Sequence, residues 1–306
     1  MNVIDEVLVL FVIMAVGFSA RRFGLIGGSL NKGLADLLLH VTMPLMILGA
    51  FNIVIDASLW GMSAQIFIFS GLLHAGMFFL SQWIFKGYEP DQQKVMRFSV
   101  VFSNCAFMGY PILQSVYGKE GVFLGSIFLV PFIISLWTAG VLIFNKNPHD
   151  QVGWSKVMLN PGILAVFLGM VLFVLKLKLP EPLSRGCDLL GSTTTPLAMV
   201  LIGSTLAEVH VKHMFNDINV YYVSALRLIV IPVLAGSVLW LCGVRGIALG
   251  ASVICACMPV AANTAAFAER FGSSTSLASR CVFISTLLSI ITVPVFVAWA
   301  GHLIPH

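Results

Sequence analysis

Charge is scarce in this sequence. Asp, Glu, Lys and Arg make up 10% of its 306 residues, whereas a soluble domain carries about a quarter. So few charges cannot clothe a water-facing surface, which excludes an ordinary soluble fold. No basic tract and no interleaving of basic with aromatic residues occurs, which excludes a nucleic-acid-binding surface. H-E-x-x-H, G-x-S-x-G, a phosphate-cradling Walker loop and a pair of intramembrane aspartates are all missing. Neither an enzyme nor an ATP-driven machine is therefore expected, and no cofactor. The six cysteines (Cys105, Cys187, Cys242, Cys255, Cys257, Cys281) lie mostly inside apolar runs. Cys255 and Cys257 stand too close for paired ligands, and no second Cys/His pair has zinc spacing, so no metal site is expected. A cleavable leader is not expected either: Asp5 and Glu6 precede the first apolar run and Arg21 and Arg22 follow it, the reverse of a signal peptide.

What the chain has in abundance is apolar length. Hydrophobic residues form 58% of it and the mean hydropathy is +0.98. A spanning helix needs about 20 predominantly apolar residues. Ten candidate spans follow: 6–20, 33–52, 60–85, 95–117, 121–144, 160–177, 186–207, 219–242, 246–268 and 275–301. The expected class is an all-α integral membrane protein. Lys and Arg in the connections set its orientation. With both termini outside, ten basic residues fall on the cytoplasmic side (Arg21, Arg22, Lys32, Lys86, Lys94, Arg97, Lys146, Lys156, Lys212, Arg270) and five on the outer side (Lys119, Lys176, Lys178, Arg185, Arg245). Both termini are accordingly expected outside the cell membrane.

The longest polar connection, Asn145 to Asn160, divides the chain into residues 1–150 and 151–306, with five spans in each. The halves echo one another. Met43-Pro44-Leu45 in span two matches Thr195-Pro196-Leu197 in span seven, and Tyr117-Gly118 at the end of span four matches Phe271-Gly272 at the end of span nine. An odd number of spans per half turns the second copy upside down. Two inverted five-helix repeats, with broken helices at matching positions, are the pattern of a secondary transporter.

Spans four and nine are the broken ones. The first reads Phe102-Ser103-Asn104-Cys105-Ala106-Phe107-Met108-Gly109-Tyr110-Pro111, the second Cys257-Met258-Pro259-Val260-Ala261-Ala262-Asn263-Thr264-Ala265. A proline inside a helix removes one hydrogen bond and clashes with the preceding turn. In hydrocarbon the freed groups cost several kcal/mol each unless satisfied, so such backbone is buried or lines a wet cavity. Pro111 and Pro259 are read as the helix breakers. Asn104, Asn263, Ser103 and Thr264 are the candidate substrate-binding side chains. Two half-helix N-termini meeting near the midplane would favour an anion such as a carboxylate without a buried lysine. The two carboxamides could orient it. Arg227, two turns into span eight, is placed to face an acidic substrate or pair with a carboxylate. His40 and His74, nearer mid-span, are candidate proton relays. Asp36, Asp188 and Arg280 lie near span ends, where long side chains reach the interface.

Asn104 to Gly118 (NCAFMGYPILQSVYG) resembles the fourth-helix motif of the auxin efflux carrier family, and Met258 to Phe271 (MPVAANTAAFAERF) resembles its ninth-helix motif in bacterial members. Gly17 to Gly24 and Met43-Pro44 match its early helices. The resemblance implies ten helices in two inverted repeats. It further implies spans 1, 2, 6 and 7 as a scaffold, with spans 3–5 and 8–10 as a mobile domain moving elevator-fashion, commonly in a homodimer. Substrate would bind where spans four and nine cross, with Asn104 and Pro111 on one and Pro259 and Asn263 on the other. The central connection, about fifteen residues by inspection of the spans, leaves no room for the long regulatory loop of many plant members. Bacterial relatives are associated with dicarboxylates such as malate or malonate.

A secondary carrier of a small organic anion is thus the expected function, the lipid bilayer its surroundings, with Na⁺ or H⁺ coupling left open. Two competitors stand beside it: a sodium-coupled symporter of the bile-acid-transporter type, and a membrane receptor that binds without moving its ligand.

Overall fold

The computed structural model describes residues 3–52, 57–144, 158–208 and 215–302. Most of the connection from Asn145 to Asn160, with Lys146 and Lys156, lies outside them, as does Lys212. Among the described residues the chain is helical, and its one strand-like contact is an isolated antiparallel bridge between Ser103 and Val260.

The elements are α1 (Val3–Arg22), α2 (Gly28–Leu37), α3 (Met43–Ala50), α4 (Ala57–Ile84), α5 (Pro90–Val101), α6 (Tyr110–Trp137), α7 (Ala139–Phe144), α8 (Pro161–Val174), α9 (Glu181–Ser192), α10 (Thr194–Glu208), α11 (Ile218–Ala225), α12 (Ile231–Leu241), α13 (Gly246–Cys257), α14 (Thr264–Arg270) and α15 (Thr275–His302). Among the described residues, six continuous stretches are long and apolar enough to cross a membrane: Gly28–Ala50, Leu59–Ile84, Cys105–Phe144, Glu181–Glu208, Ile218–Leu241 and Thr275–Gly301. Helices α8 and α13 are apolar but shorter. Six is fewer than the ten spans expected, and α1, α8 and α13 are not among the six. Spans four and nine are each divided by extended backbone. Cys105–Phe144 runs as one stretch although Gly118, at φ 59° and ψ −142°, turns the chain within it.

Three prolines share one local structure. Each of Pro44, Pro111 and Pro232 is the second residue of an α-helix, directly after a five-residue π-helical turn (Leu38–Thr42, Cys105–Gly109 and Leu226–Val230). Proline has no N–H for the i−4 carbonyl and its ring presses on that carbonyl. A widened turn absorbs both without ending the helix.

The molecule is apolar outside and studded with small polar groups within. Phe167, Leu234 and Ile291 are exposed, while Ser70, Ser126, Ser224 and Ser289 are fully buried. Several buried hydroxyls donate to carbonyls of their own helix three or four residues back, as Ser126 does to Val122 O at 2.6 Å and Ser224 to Val220 O at 2.8 Å. Lipid does not drive helices together, so close contact must. The extended seam of α1 against α10 shows this: a Cβ on Gly17 would meet the backbone of Val200, and one on Gly203 the carbonyl of Met14. The acidic first turn of α1 (Asp5, Glu6) and its basic last turn (Arg21, Arg22) complement the helix dipole.

Candidate functional site

The helical run of α5 ends at Val101 because Phe102 turns extended (φ −107°, ψ 124°). The run of α13 ends at Cys257 because Met258, the residue before Pro259, is also extended (φ −65°, ψ 147°). The two extended segments lie against each other and satisfy one another's backbone. Asn104 N donates to Pro259 O at 2.8 Å, and Ala261 N donates to Phe102 O at 3.1 Å. Val260 N donates to Ser285 Oγ at 3.1 Å. These N–H groups are thus paired, two across the breaks and one with α15, as freed backbone in hydrocarbon requires.

Beyond the breaks the chain re-enters helix. Asn104 heads the π turn Cys105–Gly109 that continues into α6, and Asn263 heads α14. Neither carboxamide caps the helix it heads. Asn104 is 5% exposed and Asn263 half-buried, with its Oδ1 enclosed and without a hydrogen-bond partner. An unpaired buried carbonyl is costly, and a site awaiting a ligand is one place where it persists.

Two cavities meet at this pair. One, of about 450 Å³, extends past Asn31, Lys32, Thr205, Glu208 and Thr286. The other, of about 320 Å³, extends past His40, Ser103, Phe132, Trp137 and Asn160. Asn104, Phe107, Ala262 and Asn263 line both. At the far end of the larger cavity Glu208 is held by Arg21 at 2.9 Å and by Asn31 Nδ2 at 2.8 Å.

The other sequence candidates are distributed as follows. Ser103 lines the smaller cavity and donates its hydroxyl to Cys255 O at 3.1 Å. Thr264 is fully buried, donates to Ala261 O at 2.6 Å, and lines neither of these cavities. Pro259 stands in the second extended segment, whereas Pro111 sits in the first turn of α6, after the π turn. His40 lines the smaller cavity, its Nδ1 3.0 Å from Asp36 O. His74 is buried among the rings of Phe102, Phe128 and Phe132, with Nδ1 2.6 Å from Ser70 O, and reaches neither cavity.

Arg227 departs from expectation. It faces neither an acidic partner nor the cavities: its guanidinium donates to three backbone carbonyls, Val100 O, Ala256 O and Met258 O. Its depth in an apolar span had marked it, but its partners are main-chain groups, which side-chain identities cannot reveal. Asp188 pairs with Lys119 at 2.7 Å beside a third cavity of about 280 Å³.

Comparison with known proteins places this geometry in context. A family model described as "Membrane transport protein" matches residues 2–152 and 150–297. A protein of Methanothermobacter thermautotrophicus named "Uncharacterized transporter" is 24% identical over 305 residues, covering 95% of this chain and 96% of its own. An uncharacterized transporter of Methanocaldococcus jannaschii is 25% identical over 303 residues, covering 94% and 96%. A Rhizobium meliloti protein named "Putative malonate transporter" is 32% identical over 139 residues, 45% of this chain and 43% of its own. The apolar helices, the paired breaks and the match along nearly the whole length agree: this multi-pass membrane chain belongs to the membrane transport protein family, that of the auxin efflux carriers.

Proposed function

We propose that the protein is a secondary transporter of a small organic anion, bound between the carboxamides of Asn104 and Asn263. The observation that carries this reading is that two cavities with otherwise separate linings share these two asparagines, neither of which is spent on capping its helix. A ligand at the junction meets amide donors and newly started helical turns, a setting that suits a carboxylate. The Rhizobium relative's name supplies malonate as the first candidate.

The architecture that serves this function is ten spans in two inverted repeats, residues 1–150 and 151–306. Spans 1, 2, 6 and 7 form the scaffold, and spans 3–5 and 8–10 carry the substrate by an elevator-type motion, in a homodimer. In its support, the matching glycines Gly118 and Gly272 both take left-handed backbone (φ 59° and 64°), each just after an aromatic residue. With both termini outside the plasma membrane, the Arg21–Glu208 end of the larger cavity faces the cytoplasm, and the Lys119–Asp188 pair, beside a separate cavity, acts as a closure on the outer side.

The test is uptake into proteoliposomes of malonate, malate, acetate and indole-3-acetate, with and without sodium and a pH gradient. Saturable flux of one carboxylate supports the reading. Saturable binding without flux would make the protein a receptor, and flux that requires sodium would make it a symporter.

The outer closure has its own consequence. Lys119 and Asp188 are each about two-fifths exposed (43% and 41%), and such pairs contribute about 0.2–1 kcal/mol. Asp188→Asn is expected to favour outward opening by up to about fivefold, the Boltzmann equivalent of that energy. Buried Cys187 lines the adjoining cavity, and Cys242 is exposed. With Cys242 replaced by serine, Cys187 should react correspondingly faster with a membrane-impermeant maleimide. An unchanged rate would show that the pair does not hold this end shut.

A further inference from the structure

Among the described residues, Arg227 is the one Asp, Glu, Lys or Arg that is buried. It stands in the π turn Leu226–Val230, and no carboxylate lies within ion-pair distance of it among the described residues. Nε donates to Met258 O at 3.1 Å, Nη1 to Val100 O at 3.0 Å and Nη2 to Ala256 O at 2.6 Å. Val100 belongs to the last turn of α5, Ala256 to the last turn of α13, and Met258 follows at once. These are the C-terminal ends of the leading halves of both interrupted helices. There the final carbonyls lack helical partners and carry the negative end of the dipole.

A cluster of carbonyl oxygens drawn from converging segments is also the chemistry that holds a dehydrated alkali cation. In this chain a guanidinium fills the cluster instead. The extended segments that present Asn104 and Asn263 begin at Phe102 and Met258, next to or within the three-carbonyl cluster, so whatever holds the carbonyls sets the register of the asparagines.

We propose that Arg227 is a positioning residue that stands in for a coupling cation: it clamps the ends of both interrupted helices, adds fixed positive charge behind the anion site, and makes anion binding independent of sodium. The role in anion binding rests on the function proposed above; the clamp itself does not.

The experiment uses the purified full-length protein as wild type, Arg227→Lys and Arg227→Ala, with malonate as probe and thermal unfolding as an independent readout. Wild-type affinity for malonate should be equal in sodium and in choline chloride. Arg227→Ala should unfold at lower temperature and bind malonate about tenfold or more weakly, the loss expected for hydrogen bonds to a charged group. Millimolar guanidinium chloride, unlike the neutral isostere urea, should restore both properties. Restoration of stability alone, with no malonate bound even by wild type, would support the clamp and refute the carboxylate assignment. Arg227→Lys keeps the charge but loses the fork; if Arg227→Ala does not fold, the lysine variant carries the test. It should fold and bind malonate about tenfold more weakly, again the scale of one charged hydrogen bond. An Arg227→Ala protein as stable as wild type, rescue by urea as effective as by guanidinium, a lysine variant with wild-type affinity, or sodium-dependent binding by wild type would each overturn the proposal.

Discussion

Asn104→Ala and Asn263→Ala are each expected to weaken carboxylate binding by about 10- to 150-fold while leaving the protein folded, since a hydrogen bond to a charged group is worth about 1.5–3 kcal/mol. The structure separates the two effects cleanly for Asn104. Its fold-holding contacts are main-chain: N–H to Pro259 O, and its carbonyl accepting from Met108 N at 3.1 Å. Truncating the side chain leaves both in place, and no cap is lost because the carboxamide makes none. Asn263 behaves similarly, its carbonyl accepting from Phe267 N at 3.0 Å while Oδ1 is unpartnered. Removing that orphaned oxygen should leave stability unchanged or slightly raised. Asn104→Asp is near-isosteric but places a carboxylate against the anion, so it should bind less than the alanine variant. Calorimetric titration with malonate, beside a melting curve for each variant, checks both parts. Normal binding in both alanine variants would remove the site from these residues.

The second large effect concerns the seam between α1 and α10. Gly203→Leu should lower the melting temperature sharply, and Gly17→Leu should do the same. At Gly203 even a Cβ would fall onto the Met14 carbonyl and lie 2.8 Å from Phe18 N; at Gly17 it would lie 2.7 Å from Val200 Cα. These neighbours are backbone, so no rotamer change relieves the clash and the helices must separate. Overpacking typically costs about 1–3 kcal/mol and sometimes more. The loss weighs heavily in lipid, where association rests on close packing rather than on escape from water. The alanine versions should show a graded effect. Since both glycines serve one helix pair, the double alanine variant should lose less than the sum of the singles. Thermal unfolding in detergent reads this directly; an unshifted Gly203→Leu melt would mean that α1 and α10 do not approach this closely.

Local chemistry made some features legible in advance. The breaks at residues 102–104 and 258–263 were readable because asparagine, serine and proline in an apolar run cannot simply continue a helix in hydrocarbon. The asparagines that share the two cavities stood out for the same reason, being carboxamides at depth. Pro111 was less legible. Read as a breaker, it lies past the break, because a π turn lets the helix widen around a proline. Ser103 and Thr264 looked free as residue types, yet both donate to nearby or opposing carbonyls. A hydroxyl's partner depends on backbone placement, which its identity does not carry.

Composition and periodicity by themselves determined that this chain lives in lipid, that it is helical, and that two of its helices are interrupted at asparagine-bearing motifs. These follow from short-range rules: apolar length sets what the solvent must be, and each freed backbone group demands a partner. Only the tertiary structure decided who the partners are. The two breaks, more than 150 residues apart in the sequence, complete each other's hydrogen bonds, Ser103 opposite Val260. Arg227, from a third helix, turns to their carbonyls rather than to an acid. Main-chain groups are the same in every residue but proline, so which of them meet is settled by packing in three dimensions rather than by the identity of the side chains alone.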